Sequence, residues 1–126
     1  MKLGPKILIV DDEEDILELL TYNFESEGYQ VLQALDGEQA IELARSEPPD
    51  LILLDIMMPT MDGLEACKIL RSFPELDHTI IVFLTAQSEV YSEKAGLEAG
   101  ASAYIYKPIK PSLLKQEIRE LLGIDE

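Results

Sequence analysis

The chain has 126 residues, 47% hydrophobic and 28% charged, with 25 acidic against 10 basic residues and a net charge of −15. That length suffices for one core and is short for two, and the acidity excludes a surface that holds nucleic acid or an anionic membrane by itself, since both need a basic face. A single cysteine excludes an internal disulfide and points to a reducing, cytoplasmic compartment, and no apolar run approaches membrane-spanning or signal-peptide length. With no repeat, linker or low-complexity tract in view, the expectation is one domain over residues 1–126 with its core at about 6–122.

Lys6-Ile7-Leu8-Ile9-Val10 is a short aliphatic run rich in β-branched residues and reads as a strand. It stops at Asp11-Asp12-Glu13-Glu14-Asp15, acids that suit the positive end of the helix dipole that follows. Ile16, Leu19, Leu20 and Phe24 recur at helical spacing, and Gly28 marks the stop. Residues 29–34 form a second strand, Asp36-Gly37 a turn, and Ala40, Ile41, Leu43 and Ala44 the face of a second helix. Pro48-Pro49 ends that helix and forces extended backbone into Leu51-Ile52-Leu53-Leu54. Four aliphatic residues running straight into Asp55 describe a strand buried on both faces, as in parallel sheets.

Asp62 is a plausible N-cap for a third helix lined by Leu64, Cys67 and Leu70. Residues 73–79 read as a loop. Ile80-Ile81-Val82-Phe83-Leu84 is a fourth strand, ending at Thr85. Residues 87–99 are helical but weakly amphipathic: only Val90 and Leu97 share a stripe and Gly96 interrupts, which makes this the least stable helix. After a stop at Gly100, residues 103–106 form a fifth strand that ends at Lys107-Pro108, and Leu114, Ile118, Leu121 and Leu122 line a last helix before Gly123.

Strand and helix thus alternate five times, which means a parallel sheet with helices on both faces: an α/β, three-layer (βα)5 architecture. The first, third and fourth strands are the most apolar and belong in the interior. That favours the flavodoxin-like order 2-1-3-4-5, in which the first and third strands adjoin at the switch point. Asp11, Asp12, Asp55, Thr85 and Lys107 then all project from the carboxyl edge of the sheet. Three clustered carboxylates repel one another unless a cation binds. An all-oxygen cluster suits Mg²⁺, which would also neutralise an incoming phosphoryl group. Lys107 can hold a phosphate oxygen and Thr85 offers a hydroxyl donor. Asp55 is then a carboxylate nucleophile suited to aspartyl-phosphate chemistry.

Val10-Asp11-Asp12-Glu13, Leu54-Asp55-Ile56-Met57-Met58-Pro59, Met61-Asp62-Gly63, Leu84-Thr85-Ala86 and residues 104–108 together resemble the receiver domain of bacterial two-component response regulators. The resemblance runs from about residue 6 to residue 122, and it implies the same strand order and single domain. It implies that Asp55 is the phosphoacceptor, taking its phosphoryl group from a sensor histidine kinase or phosphotransfer protein. It makes Asp12 a direct Mg²⁺ ligand, Asp11 a water-mediated one, and the backbone carbonyl of Met57 the third contribution. Thr85 and Lys107 would hold the phosphoryl oxygens, and Tyr104 would be the switch aromatic that follows Thr85. The Lys107-Pro108 bond would be cis. The surface of the fourth helix, fifth strand and fifth helix would carry the output, to another protein or within a homodimer.

Some residues depart from the family pattern. Ser102 and Ala103 stand where many receivers have two acids, which argues against a charged dimer of that kind. Ile109 replaces a frequent phenylalanine. Met57 and Gln87 lie two residues beyond Asp55 and Thr85, where the family tunes attack by water, and apolar Met57 implies slow dephosphorylation. His78 carries no assignment, Cys67 reads as core, and the methionines imply no metal. Two other functions compete. An Mg²⁺-dependent phosphatase or phosphotransferase of the haloacid dehalogenase type would want an acid at Met57. A flavin carrier would want a Ser/Thr/Gly-rich phosphate loop where residues 11–15 are acidic. The residues leave open whether the chain acts alone or belongs to a longer regulator with a DNA-binding domain.

Overall fold

Residues 51–54 are four consecutive aliphatic side chains, each no more than 1% exposed, and the rest of the chain is arranged to cover them. The computed structural model describes residues 4–86, 93–107 and 110–124, with Thr85, Ala86 and Glu93 described through their backbones alone. In chain order the elements are β1 (Lys6–Val10), α1 (Glu14–Glu25), β2 (Gln30–Ala34), α2 (Gly37–Ser46), β3 (Leu51–Leu54), α3 (Gly63–Arg71), a 3₁₀ turn (Pro74–Leu76), β4 (Ile80–Ala86), α4 (Glu93–Glu98), β5 (Ala103–Lys107) and α5 (Pro111–Leu122). All strand pairs are parallel, in the order β2-β1-β3-β4-β5. This is the flavodoxin-like α/β sandwich expected from the alternation.

Alternating side chains of each interior strand feed two cores, as a period of two requires. Leu8, Val10, Ile52, Leu54, Ile81 and Phe83 pack with Ala40, Ala44, Ala66, Cys67 and Leu70 under α2 and α3. Ile7, Ile9, Leu51, Leu53, Val82 and Leu84 pack with Leu17, Leu20, Phe24, Leu114 and Ile118 under α1 and α5. Burying a side chain of this size is worth about 1.5–3 kcal/mol, so each interior strand holds its helices through several such contacts. The edge strands β2 and β5 are only partly covered.

Local signals explain most boundaries. Asp36 and Asp62 each accept a hydrogen bond from the amide three residues on, at 2.9 Å, capping α2 and α3. Gly28 and Gly123 end α1 and α5 with positive φ angles of 94° and 73°, a conformation that costs a β-carbon-free residue little.

Three details differ from the sequence pattern. On α1 the buried stripe is Leu17, Leu20 and Phe24, while Leu19 is 55% exposed. Apolar residues at 16, 17, 19 and 20 span more than one face, and only contact with the sheet decides between them. The segment expected as a loop contains a 3₁₀ turn in which Leu76 is fully buried. The α4 helix is described only over Glu93–Glu98, so the expected start near residue 87, with Val90, lies outside the described residues. Leu97, placed on its apolar stripe, is 56% exposed.

Candidate functional site

Register places the acids. Val10 is paired with Leu54 across β1 and β3, so the next residues, Asp11 and Asp55, emerge side by side where the ladder ends. The amide of Asp55 donates to the Val10 carbonyl and that of Asp11 to the Ala34 carbonyl, both at 3.1 Å, which fixes both backbones to the sheet. Asp11 and Asp55 are buried and Asp12 is exposed. One carboxylate oxygen from each of the three lies within 4.8 Å of the others.

Lys107 ends β5, paired with Ala86, and its long side chain reaches back over the strand ends. Its ammonium sits 3.2 Å from Asp11 Oδ2 and 3.9 Å from Asp55 Oδ2. Asp11 Oδ1 accepts from the amide of Glu13 at 2.9 Å, and Asp55 Oδ1 accepts from the amide of Met57 at 3.1 Å. Each buried carboxylate is thus held at one oxygen by backbone and at the other by the same cation.

One ammonium does not balance three carboxylates. Burial pushes the Asp55 carboxyl up from its ordinary 3.8 to about 6. Lys107 opposes that rise, Asp11 adds to it, the Met57 amide opposes it and Asp12 adds to it again, in decreasing order of size. The site is therefore short of positive charge. Two buried carboxylates and one exposed one fit a hard, partly hydrated cation such as Mg²⁺, with Asp11, Asp12 and Asp55 as the residues able to hold it.

The structure brings together Asp11, Asp12, Asp55 and Lys107. The Met57 backbone lies beside Asp55, and the residue is 52% exposed. Thr85 is in β4 next to the site, but its side chain lies outside the described part, as do Gln87, Pro108 and Ile109. Tyr104 is half-buried on β5, its ring 5.8 Å from that of Phe83 and 5.1 Å from that of Tyr106. Ser102 Oγ accepts from the Ile81 amide at 3.3 Å and lies 3.4 Å from the Arg71 guanidinium. It thus joins the segment leading into β5 to both β4 and α3.

Sequence reasoning missed two residues between Asp55 and the first turn of α3. Gly63, the first residue of α3, packs directly on the backbone of Asp55 and Ile56; in sequence a glycine signals a turn or a close approach equally well. Thr60 has φ of 68°, a left-handed conformation that is an outlier for a β-branched residue. Relief of that strain, about 1–2 kcal/mol, should outweigh the extra chain entropy of glycine, about 0.5–1 kcal/mol. Thr60→Gly is therefore expected to raise stability by about 0.5–1 kcal/mol, read as a higher urea midpoint; a lower midpoint would show that the threonine is held there without strain.

Comparison with known proteins agrees with this geometry. The family model described as response regulator receiver domain matches residues 7–119. The alkaline phosphatase synthesis transcriptional regulatory protein PhoP of Bacillus subtilis is 45% identical over 98% of this chain, and the probable transcriptional regulator ycf27 of Porphyridium aerugineum is 42% identical over 93%. The alignments take in 51% and 48% of those two proteins, so the chain spans about half the length of these curated relatives. A CheY-like receiver domain protein of Methanospirillum hungatei superposes with a TM-score of 0.89 at 32% identity, covering 97% of this chain and 95% of its own. The receiver domain of the Pseudomonas aeruginosa sensor histidine kinase PA1611, solved with a magnesium ion coordinated in its active-site cleft, gives 0.87 at 30% identity, covering 95% and 98%.

Proposed function

The chain belongs to the response regulator receiver domain family, and on that premise we propose that Asp55 is its phosphoacceptor and that residues 1–126 act as one receiver domain in the cytoplasm. It is a signalling switch of two-component systems, and receivers take their phosphoryl group from histidine kinases or phosphotransfer proteins. The observation that carries the assignment is the cluster itself: three carboxylates within 4.8 Å, two of them bridged by Lys107, at the carboxyl edge of a parallel sheet.

In the proposed reaction an Asp55 carboxylate oxygen attacks the phosphorus of a phosphohistidine. The O–P bond forms as the N–P bond breaks, and the donor imidazole leaves. The Met57 amide at 3.1 Å holds one oxygen of the Asp55 carboxylate still. Lys107 stands between Asp11 and Asp55 and moves its charge onto the arriving phosphoryl oxygens. Bound Mg²⁺ would supply charge neutralisation of the phosphoryl group, held by Asp12 directly, Asp11 through water, Asp55 and the Met57 carbonyl. Thr85 donates a hydrogen bond from its hydroxyl to a phosphoryl oxygen, and Tyr104 follows it as the switch aromatic. Output passes through the surface of α4, β5 and α5, where Leu97 and Tyr106 are exposed, to another protein, a second copy, or the remainder of a longer transcription regulator.

Borohydride reduction of the protein after treatment with acetyl phosphate and Mg²⁺, followed by peptide mass mapping, tests the site. The acyl phosphate should reduce Asp55 alone to homoserine; reduction at another acid would refute the assignment. Met57 has no group to orient a water, so dephosphorylation should take many minutes or longer, followed by loss of the phosphoryl mass after donor removal. Loss within seconds would contradict that. An aspartate-nucleophile phosphatase is not favoured, since Met57 stands where the second acid is needed. Among the described residues no helix is long and apolar enough to cross a membrane.

A further inference from the structure

Gly63 opens α3, a position where alanine is ordinarily the better helix former, yet a side chain there has no room. A β-carbon on Gly63 would run into the carbonyl oxygen of Asp55, and would stand 2.8 Å from Ile56 Cα and 3.1 Å from the Asp55 carbonyl carbon. All three are backbone atoms, which have no rotamer to retreat into. The amide of the same glycine donates to the Ile56 carbonyl at 2.9 Å, and that carbonyl also accepts from the Met58 amide at 3.1 Å. Gly63 therefore touches two successive peptide units, the one that leaves Asp55 and the one that reaches Met57.

We propose that Gly63 is a positioning residue for the phosphoacceptor: its bare Cα lets the start of α3 seat on the Asp55–Ile56 peptide, and that contact aims the Asp55 carboxylate and the Met57 amide at each other. The inference rests on the assignment of Asp55 above. The Met57 amide meets Asp55 Oδ1 at 3.1 Å, and its direction is set by the peptides that Gly63 holds. A methyl group in this contact pushes the peptide and the helix start apart, and displacing a reacting group by about 1 Å can cost on the order of 10²-fold in rate.

Two variants separate positioning from helix starting. Gly63→Ala adds the atom; Asp62→Ala removes the cap that accepts from the Glu65 amide at 2.9 Å, loosening the same helix start with nothing added against Asp55. Uptake of phosphate from acetyl phosphate at saturating Mg²⁺ is measured per folded molecule, with folding read by circular dichroism. Exchange of the Met57 amide is followed by NMR with no metal or phosphodonor present. Gly63→Ala should lose about 10²-fold in uptake, and its Met57 amide should exchange at least about tenfold faster than in wild type. Asp62→Ala should stay within about twofold on both readouts.

Wild-type uptake in Gly63→Ala, or an equal loss in Asp62→Ala, would overturn the proposal. If Gly63→Ala folds only in trimethylamine N-oxide, which strengthens burial, both readouts are taken there; if it does not fold at all, retention or loss in Asp62→Ala decides. Failure of the wild type to take up phosphate would instead sink the phosphoacceptor assignment and leave the Met57 exchange comparison standing.

Discussion

Asp55→Asn is expected to be more stable than the wild type at pH 7 without divalent cation, by roughly 3 kcal/mol, and to take up no phosphate. The reason lies in the raised carboxyl. Its folded value is about 6 against an ordinary 3.8, and each tenfold change in proton affinity is worth about 1.4 kcal/mol. Because the folded state binds the proton more tightly, ionised Asp55 is a cost to folding that is present in full above about pH 6. As pH falls the cost is relieved, and below about pH 4 it is gone. Wild-type stability contributed by this group therefore rises as pH drops from 7 towards 4, whereas Asp55→Asn lacks that slope. Urea denaturation at pH 7 and pH 5 in EDTA checks both points. Equal stability of the two proteins at pH 7 would mean that the buried carboxylate is already balanced, and the case for a missing cation would fail with it. Adding Mg²⁺ should stabilise the wild type and leave the asparagine variant little changed, since a ligand that binds only the folded state stabilises it by mass action.

Lys107→Met is expected to move in the opposite direction and by a similar amount. The ammonium is 3.2 Å from Asp11 and 3.9 Å from Asp55, with a side chain 21% exposed. Removing it leaves two buried carboxylates without their common cation, at a cost of about 2–4 kcal/mol. Lys107 is the strongest influence opposing the rise of the Asp55 carboxyl, so in the variant that carboxyl rises further. The instability is then largest at high pH and shrinks as Asp55 takes up its proton. Phosphate uptake should fall on the order of 10²-fold, the scale on which a preorganised charge at a transition state acts. Lys107→Arg restores the charge but not the compact ammonium; recovery of stability with only partial recovery of uptake would separate the two roles. A Lys107→Met protein with wild-type uptake would remove the residue from the chemistry.

The parts of this molecule that were legible in the sequence are those where one physical rule dominates. Leu51-Ile52-Leu53-Leu54 leaves no polar face, so only a strand covered on both sides accommodates it, and the same holds for β1 and β4. Once those three adjoin, the acids that end β1 and β3 must meet, which is why Asp11 and Asp55 could be named together before any coordinates; Lys107 ends β5, one strand beyond β4. The side of α1 was not legible: Ile16, Leu17, Leu19 and Leu20 offer two faces, and the sheet takes Leu17 while leaving Leu19 outside. Nor was the loop after Asp55. Thr60 gives no hint of its left-handed backbone, and Gly63 does not reveal what lies against it. The Gly63 contact is a consequence of how α3 is seated, a tertiary fact with no local signal.

The central claim is that Asp55, within a metal-binding acidic cluster, is the residue that carries phosphate. Intact-mass measurement after incubation with acetyl phosphate tests it most directly, on wild type and Asp55→Asn, each with Mg²⁺ and with EDTA. The wild type with Mg²⁺ should gain the mass of one phosphoryl group, and the other three samples should gain none. Uptake that persists in Asp55→Asn would contradict the site, and uptake that survives EDTA would contradict the metal.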